Sequence, residues 1–139
     1  MIVIHHNPKC STSRNALAAI RATGAKPVIV NYLETGWTRP QLQALFAAAG
    51  LTPRQAMRDV RSPAQDMGLL EDGVTDDDIL DAMIAHPVLV HRPIVATPKG
   101  VRLCRPWQMV LDLLETRPDG PLSTQDGKPL LDKKGNPVD

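Results

Sequence analysis

Aromatic residues are scarce in this chain: two Trp, one Tyr and one Phe in 139 residues. The core must therefore be built from Leu, Ile, Val, Ala and Met. Cysteine is scarce too. Cys10 and Cys104 are too few to frame a disulfide-stapled domain. Set far apart, with four scattered histidines, they lack the ligand spacing of a metal site, so no metal and no bound cofactor are expected. A charge excess is missing: 16 Lys and Arg against 15 Asp and Glu leave +1. That argues against a general nucleic-acid or membrane-surface binder. No apolar run approaches 18 residues and no signal-peptide pattern follows Met1, so neither a membrane span nor export is expected. A cytoplasmic protein is the expectation, and a reducing compartment suits a working thiol. There is no internal repeat, no low-complexity tract and no heptad, and a monomer is expected.

What is present reads as a single α/β domain. Apolar residues make up 42%, enough at this length for a real core. Ile2-Val3-Ile4 predicts a buried strand. Thr12 to Thr23 predicts a helix, with Ala16, Leu17 and Ile20 inward and Gly24 as its stop. Pro27 to Val30 predicts a second strand, parallel to the first across a right-handed crossover. Thr38 caps another helix, with Pro40 in its first turn, Gln41 three residues after the cap and Leu42, Leu45, Phe46 and Ala49 inward. Thr52-Pro53 starts a short helix to about Met57. Arg58 to Gly68 reads as turns, with room for a short helix after Ser62-Pro63. Thr75-Asp76-Asp77-Asp78 opens a helix to about His86 that buries Ile79, Leu80, Met83 and Ile84.

Pro87 to Val90, Ile94 to Thr97 and Val101 to Leu103 look extended, with Pro98-Lys99-Gly100 turning a hairpin between the last two. Pro106 opens a final helix carrying Met109, Val110, Leu113 and Leu114. The order β-α-β, helices, β-β-α matches a thioredoxin-type, mixed four-stranded sheet with flanking helices and a helical insertion at about 38–86. That domain spans 1–117. Residues 118–139 read as a polar C-terminal extension with little core of its own.

The informative segment is His6-Asn7-Pro8-Lys9-Cys10-Ser11-Thr12-Ser13-Arg14-Asn15. It sets Cys10 where a strand gives way to a helix, among unpaired backbone N–H groups at the positive end of the helix dipole. Both favour the thiolate, the reactive form, so a catalytic role is expected for Cys10. Ser13 stands where a C-x-x-C dithiol would have its second sulfur. A resolving thiol must therefore come from elsewhere. A C-x5-R phosphate loop is excluded, because the sixth residue after Cys10 is Ala16 and Arg14 is too near. Ser11, Thr12 and Ser13 can supply hydroxyls and N–H groups to an anion. His6 could support the thiolate by charge or by hydrogen bonding, or merely satisfy loop backbone groups. Cys104 is either a resolving thiol or a buried cysteine at a strand end, and the second is the expectation. Arg92 and Arg105 each precede a proline, which places neither mid-helix.

Four motifs occur together and in order: the His6–Asn15 segment, Tyr32-Leu33-Glu34-Thr35, His91-Arg92-Pro93-Ile94-Val95 and Arg102-Leu103-Cys104-Arg105-Pro106. The chain thereby resembles the glutaredoxin-dependent arsenate reductases along nearly its whole length. Their relatives include the Spx-type transcription regulators, all on a thioredoxin-like fold. The resemblance implies that Cys10 attacks arsenate, that glutathione adds to the adduct, and that glutaredoxin reduces the mixed species to release arsenite. It assigns oxyanion binding to Arg58, Arg92 and Arg105, thiolate support to His6, and a cis-proline beside the site to Pro93. Ser11, Thr12, Ser13 and Arg14 of the cysteine loop join the substrate-binding candidates. Several guanidinium forks suit a tetrahedral dianion better than one lysine would. Ser11 stands where the family usually has glycine, a residue needed only if the backbone there takes positive φ. Two other readings stay open: an Spx-like regulator, against which Ser13 counts, and a thiol oxidoreductase on another substrate.

Overall fold

A computed structural model describes residues 1–138. These residues divide into two compact units, Met1–Val30 with Arg92 onward, and Asn31–His91.

The first unit holds β1 (Val3–His6), α1 (Ser11–Ala22), β2 (Val28–Asn31, of which Asn31 belongs to the second unit), β3 (Ile94–Thr97) and β4 (Gly100–Leu103). The strands form one mixed sheet in the order β2-β1-β3-β4, the thioredoxin-like arrangement. β1 pairs antiparallel with β3, His5 opposite Ile94, and β3 pairs antiparallel with β4, Ile94 opposite Leu103. This register fixes the chemistry. It brings the C-terminal end of β1, the N-terminal end of β3 and the C-terminal end of β4 to one edge of the sheet.

Helix α1 forms because Ala16, Leu17, Ala19 and Ile20 make one apolar stripe, and it stops at Gly24, whose φ is +86°. The stripe buries against Ile4 and Val95 of the sheet and Val110, Leu111, Leu113 and Leu114 beyond β4. Sequence reading placed an α-helix after Pro106. Trp107–Leu113 is instead a 3₁₀-helix. The apolar spacing does not decide between the two: Trp107, Val110 and Leu113 recur every third residue, but Leu111 and Leu114 are buried as well, a set that fits either period. Its exit is fixed from the hairpin. Thr97 Oγ1 donates to the Leu113 carbonyl at 2.7 Å and Lys99 Nζ to that of Leu114 at 3.0 Å.

The polar stretch after Arg117 forms a small hairpin, β5 (Leu122–Ser123) with β6 (Pro129–Leu131). It sends Leu130 and Leu131 into the core with Ile4, Ala16 and Trp107. The chain closes on itself here so tightly that a Cβ on Gly120 would lie 1.8 Å from the Asp132 carbonyl oxygen. Only glycine fits there.

The second unit carries α2 (Tyr32–Thr35), α3 (Arg39–Ala49), α4 (Pro53–Ala56) and α5 (Asp76–Ala85). Thr38, Thr52 and Thr75 each close a capping box, with Gln41, Gln55 and Asp78 respectively. Helix α2 was not foreseen. Its signal is Asn31, whose Oδ1 accepts the Leu33 N–H at 3.2 Å. Tyr32 stacks on Trp37 with ring centroids 5.1 Å apart. Arg39 binds Asp77 and Asp81 across α3 and α5. In α5, Ile79, Leu80, Ala82 and Met83 are buried, while Ile84, expected inside, is half-buried at the edge of the stripe.

Two expectations for this unit give way. Pro87–Leu89 is a 3₁₀ turn rather than an extended segment, because Pro87 favours a first-turn position and Val90 N–H returns to the Pro87 carbonyl. Val90 alone stays extended, in a bridge to Met57. No helix follows Ser62-Pro63. The segment is turns, and the chain just beyond it is held by Arg54, whose guanidinium donates to the carbonyls of Leu69, Glu71 and Val74.

Candidate active site

Cys10 is the N-cap of α1, with extended backbone and its carbonyl accepting the Arg14 N–H at 3.0 Å. The loop reaches it by a turn that the sequence Asn-Pro dictates. Asn7 Oδ1 accepts the Lys9 N–H at 2.9 Å, and the Asn7 carbonyl accepts the Cys10 N–H at 3.1 Å. Asn7 is buried and sets this geometry. It is not among the site residues expected from the sequence, although Asn-Pro is a turn signal that points to it.

Cys10 is 8% exposed. Burial alone would raise its pKa, yet the net shift is downward. The Ser13 backbone N–H counts most against burial, followed by the charge of Arg92 and the guanidinium groups of Arg92 and Arg105. No cap hydrogen bond of full geometry closes between the Cys10 side chain and α1, so the Ser13 N–H acts as a dipole aimed at the sulfur. Arg105 Nη1 donates to Cys10 Sγ at 3.8 Å and to the Arg92 carbonyl at 3.0 Å. The sheet register thus brings Cys10, Arg92 and Arg105 together. The Arg92–Pro93 peptide is cis.

Arg92 is only 7% exposed, and its Nε and Nη1 have no hydrogen-bond partner among the described residues. A buried guanidinium with idle donors is costly unless an acceptor arrives. A tetrahedral oxyanion beside the sulfur would supply acceptors for these donors.

Ser13 links the thiol to His6. Its Oγ accepts the Asn7 N–H at 3.1 Å and lies 2.6 Å from His6 Nδ1. Burial, then the charges of Arg21 and Arg14, hold the His6 pKa below its usual value, so the ring is neutral at pH 7. The hydrogen bond of His6 goes to Ser13 rather than to the sulfur. Both groups are satisfied when the Ser13 hydroxyl donates to Nδ1 and the ring carries its proton on Nε2.

The remaining candidates divide. Ser11 opens α1 and does not adopt positive φ, so its side chain costs the loop nothing there. Ser11 and Thr12 present first-turn N–H groups. Arg14 turns away, donating to the Pro8 carbonyl at 2.9 Å. Arg58 belongs to the second unit, where its Nε donates to the Val60 carbonyl at 2.9 Å. Cys104 is fully buried at the end of β4, and burial raises its pKa to about 12. It is the core cysteine of the expectation. No cluster able to hold a metal ion occurs among the described residues.

Comparison with known proteins gives the family. Residues 5–113 match the model of the ArsC family. The chain belongs to the ArsC family. Arsenate reductase ArsI2 of Synechocystis sp. is 58% identical over 138 residues, 99% of each chain. The arsenate reductase of Escherichia coli K12 is 46% identical over 134 residues, 96% of this chain and 95% of that one. Among solved structures, the arsenate reductase from Vibrio cholerae superposes with a TM-score of 0.77 at 38% identity, covering 81% of this ArsC chain and 97% of the other. None of the helices among the described residues is long and apolar enough to cross a membrane.

Proposed function

We propose that this protein reduces arsenate to arsenite through Cys10. The observation that carries the reading is the juxtaposition of a thiol of lowered pKa with Arg105 and with buried, idle donors on Arg92. Relatives named arsenate reductases at 46–58% identity over nearly the full chain support it.

In the first step the Cys10 thiolate attacks As(V). An S–As bond forms as an As–O bond breaks, and that oxygen takes up protons from solvent and leaves as water. Arg92 and Arg105 bind the remaining oxygens and disperse the charge that builds on them. Arg58 is the third arginine that the resemblance assigns to the anion. Glutathione then adds its sulfur to arsenic and a second oxygen leaves as water. A glutaredoxin thiolate attacks the glutathione sulfur. The As–S bond to glutathione breaks, its electron pair stays on arsenic, As(V) becomes As(III), and a mixed disulfide departs. Water cleaves the remaining S–As bond and returns arsenite and the Cys10 thiol. The electrons come from soluble thiols, so a monomer in a reducing cytoplasm fits the chemistry.

The test couples glutathione, glutaredoxin, glutathione reductase and arsenate to NADPH oxidation. Turnover that needs both arsenate and glutaredoxin supports the reading, and Cys10→Ser should lower it to the no-enzyme rate. Turnover that survives in Cys10→Ser would overturn it.

A further inference from the structure

Beside the cysteine loop lies a second feature that the chemistry above does not use. A groove of about 650 Å³ runs along the outer side of α1, walled opposite by the β5–β6 turn. Pro8 and Ser11, which flank Cys10 closely in the chain, are part of its lining. Arg14 and Arg21 project from the helix wall, and Lys128 and Asp126 from the turn. None of the three cations is in a salt bridge among the described residues. The floor is apolar, from Leu17, Ala18 and Leu130.

We infer that this groove binds the γ-glutamyl tripeptide thiol that attacks the arsenic on Cys10, and so sets the specificity for glutathione. The inference rests on the proposed reaction. Three arguments carry it. The first is charge: the tripeptide carries two carboxylates and one ammonium, and the groove offers three cations and one carboxylate. The second is size. Ser11 to Arg21 spans about 15 Å at 1.5 Å per helical residue. An extended tripeptide spans about 10 Å, so it fits within the length of the groove. The third is position. Pro8 and Ser11, which line the groove, flank Cys10 in the chain, so a ligand held there lies beside the cysteine loop. The hairpin turn that supplies Lys128 and Asp126 is held in place by Leu130 and Leu131 in the core. The polar tail thereby gains a role that composition alone does not suggest.

The experiment has two arms. In the first, S-methylglutathione, which cannot react, is titrated into the full-length protein and backbone amide shifts are followed. Saturable shifts should concentrate at Arg14–Arg21 and Ser123–Lys128 and disappear in the double variant Arg21→Gln, Lys128→Gln. Shifts elsewhere, no shifts, or equal shifts with acetate at the same concentration would overturn the inference. In the second arm, the double variant should raise the KM for glutathione about tenfold and leave the KM for arsenate and the kcat at saturating glutathione unchanged. An unchanged KM for glutathione would overturn it. Failure of arsenate turnover with a normal S-methylglutathione titration would remove the proposed reaction while leaving the binding groove intact, so the two can fail separately.

Discussion

At the scale of single residues, the site is a contest between burial and fixed charge at one sulfur. Burial favours the neutral thiol, while the Ser13 N–H, Arg92 and Arg105 favour the thiolate, and the second set prevails. Arg105 is the member whose removal is easiest to read, because it donates directly to the sulfur. Arg105→Ala should move the pH profile of Cys10 alkylation by iodoacetamide to higher pH, the direction expected when a stabilising cation is lost. A profile that stays in place would mean that Arg92 and the helix terminus alone hold the thiolate. Cys104 makes the contrast. Its sulfur is buried, away from charge other than that of Arg102, and its pKa lies near 12. It has no thiolate to offer at neutral pH. Cys104→Ala should keep at least half of wild-type kcat and cost about 1 kcal/mol in urea unfolding, from the lost packing of one small apolar group. A collapse of kcat in a folded variant would reassign Cys104 as a resolving thiol.

Elements decide which of these residues meet. Two antiparallel pairings set the ends of β1, β3 and β4 at one edge, and that register gathers Cys10, Arg92 and Arg105. The tail matters at the same scale. Leu131 is 1% exposed in a core otherwise supplied by α1, the sheet and the 3₁₀-helix. Leu131→Ala should therefore destabilise the protein by about 2–4 kcal/mol, the range for a large-to-small change in a packed core. A midpoint in urea within error of wild type would show the hairpin to be a mere appendage. This contribution was hard to see beforehand, since two leucines among Gly, Pro, Lys and Asp have no periodicity to betray them. Segments with local signals were legible: the threonine caps at 38, 52 and 75, the Gly24 stop, the Pro98–Gly100 turn. The 3₁₀-helix at Trp107 reads as an α-helix because its buried residues, Trp107, Val110, Leu111, Leu113 and Leu114, fit either period. Cys10 was legible because its setting is local, at a strand-to-helix junction. The neutrality of His6 was not, because it depends on burial and on where Arg14 and Arg21 come to lie.

For the molecule as a whole, two histidines, His5 and His6, couple stability to pH. His5 lies inside β1, 6% exposed, and burial lowers its pKa to about 4. The pKa of His6 is lowered too, through burial and then the charges of Arg21 and Arg14. In the unfolded chain both side chains take up a proton near pH 6.5. The folded state refuses that proton until lower pH, so the unfolded state binds more protons in between, and stability falls as pH falls. Above pH 6.5 both states are neutral and the full stability is present. For His5 the loss accumulates from pH 6.5 down to about 4 and amounts to about 3 kcal/mol. The carboxylates with lowered pKa, Asp78 and Asp126, lose their contribution only as pH falls below the ordinary carboxylate value of 3.8, so the two windows separate. Urea unfolding measured at intervals between pH 7 and 4 should show stability declining across the histidine window. In His5→Gln the decline should be shallower by about 1.4 kcal/mol per pH unit, the slope of one proton, whatever the variant's absolute stability. The residual slope then includes the share of His6. A wild-type profile that is flat from pH 6.5 to 4.5, or a variant with an unchanged slope, would place the folded-state proton affinity of His5 near that of an exposed histidine and remove buried histidine as the cause of acid sensitivity.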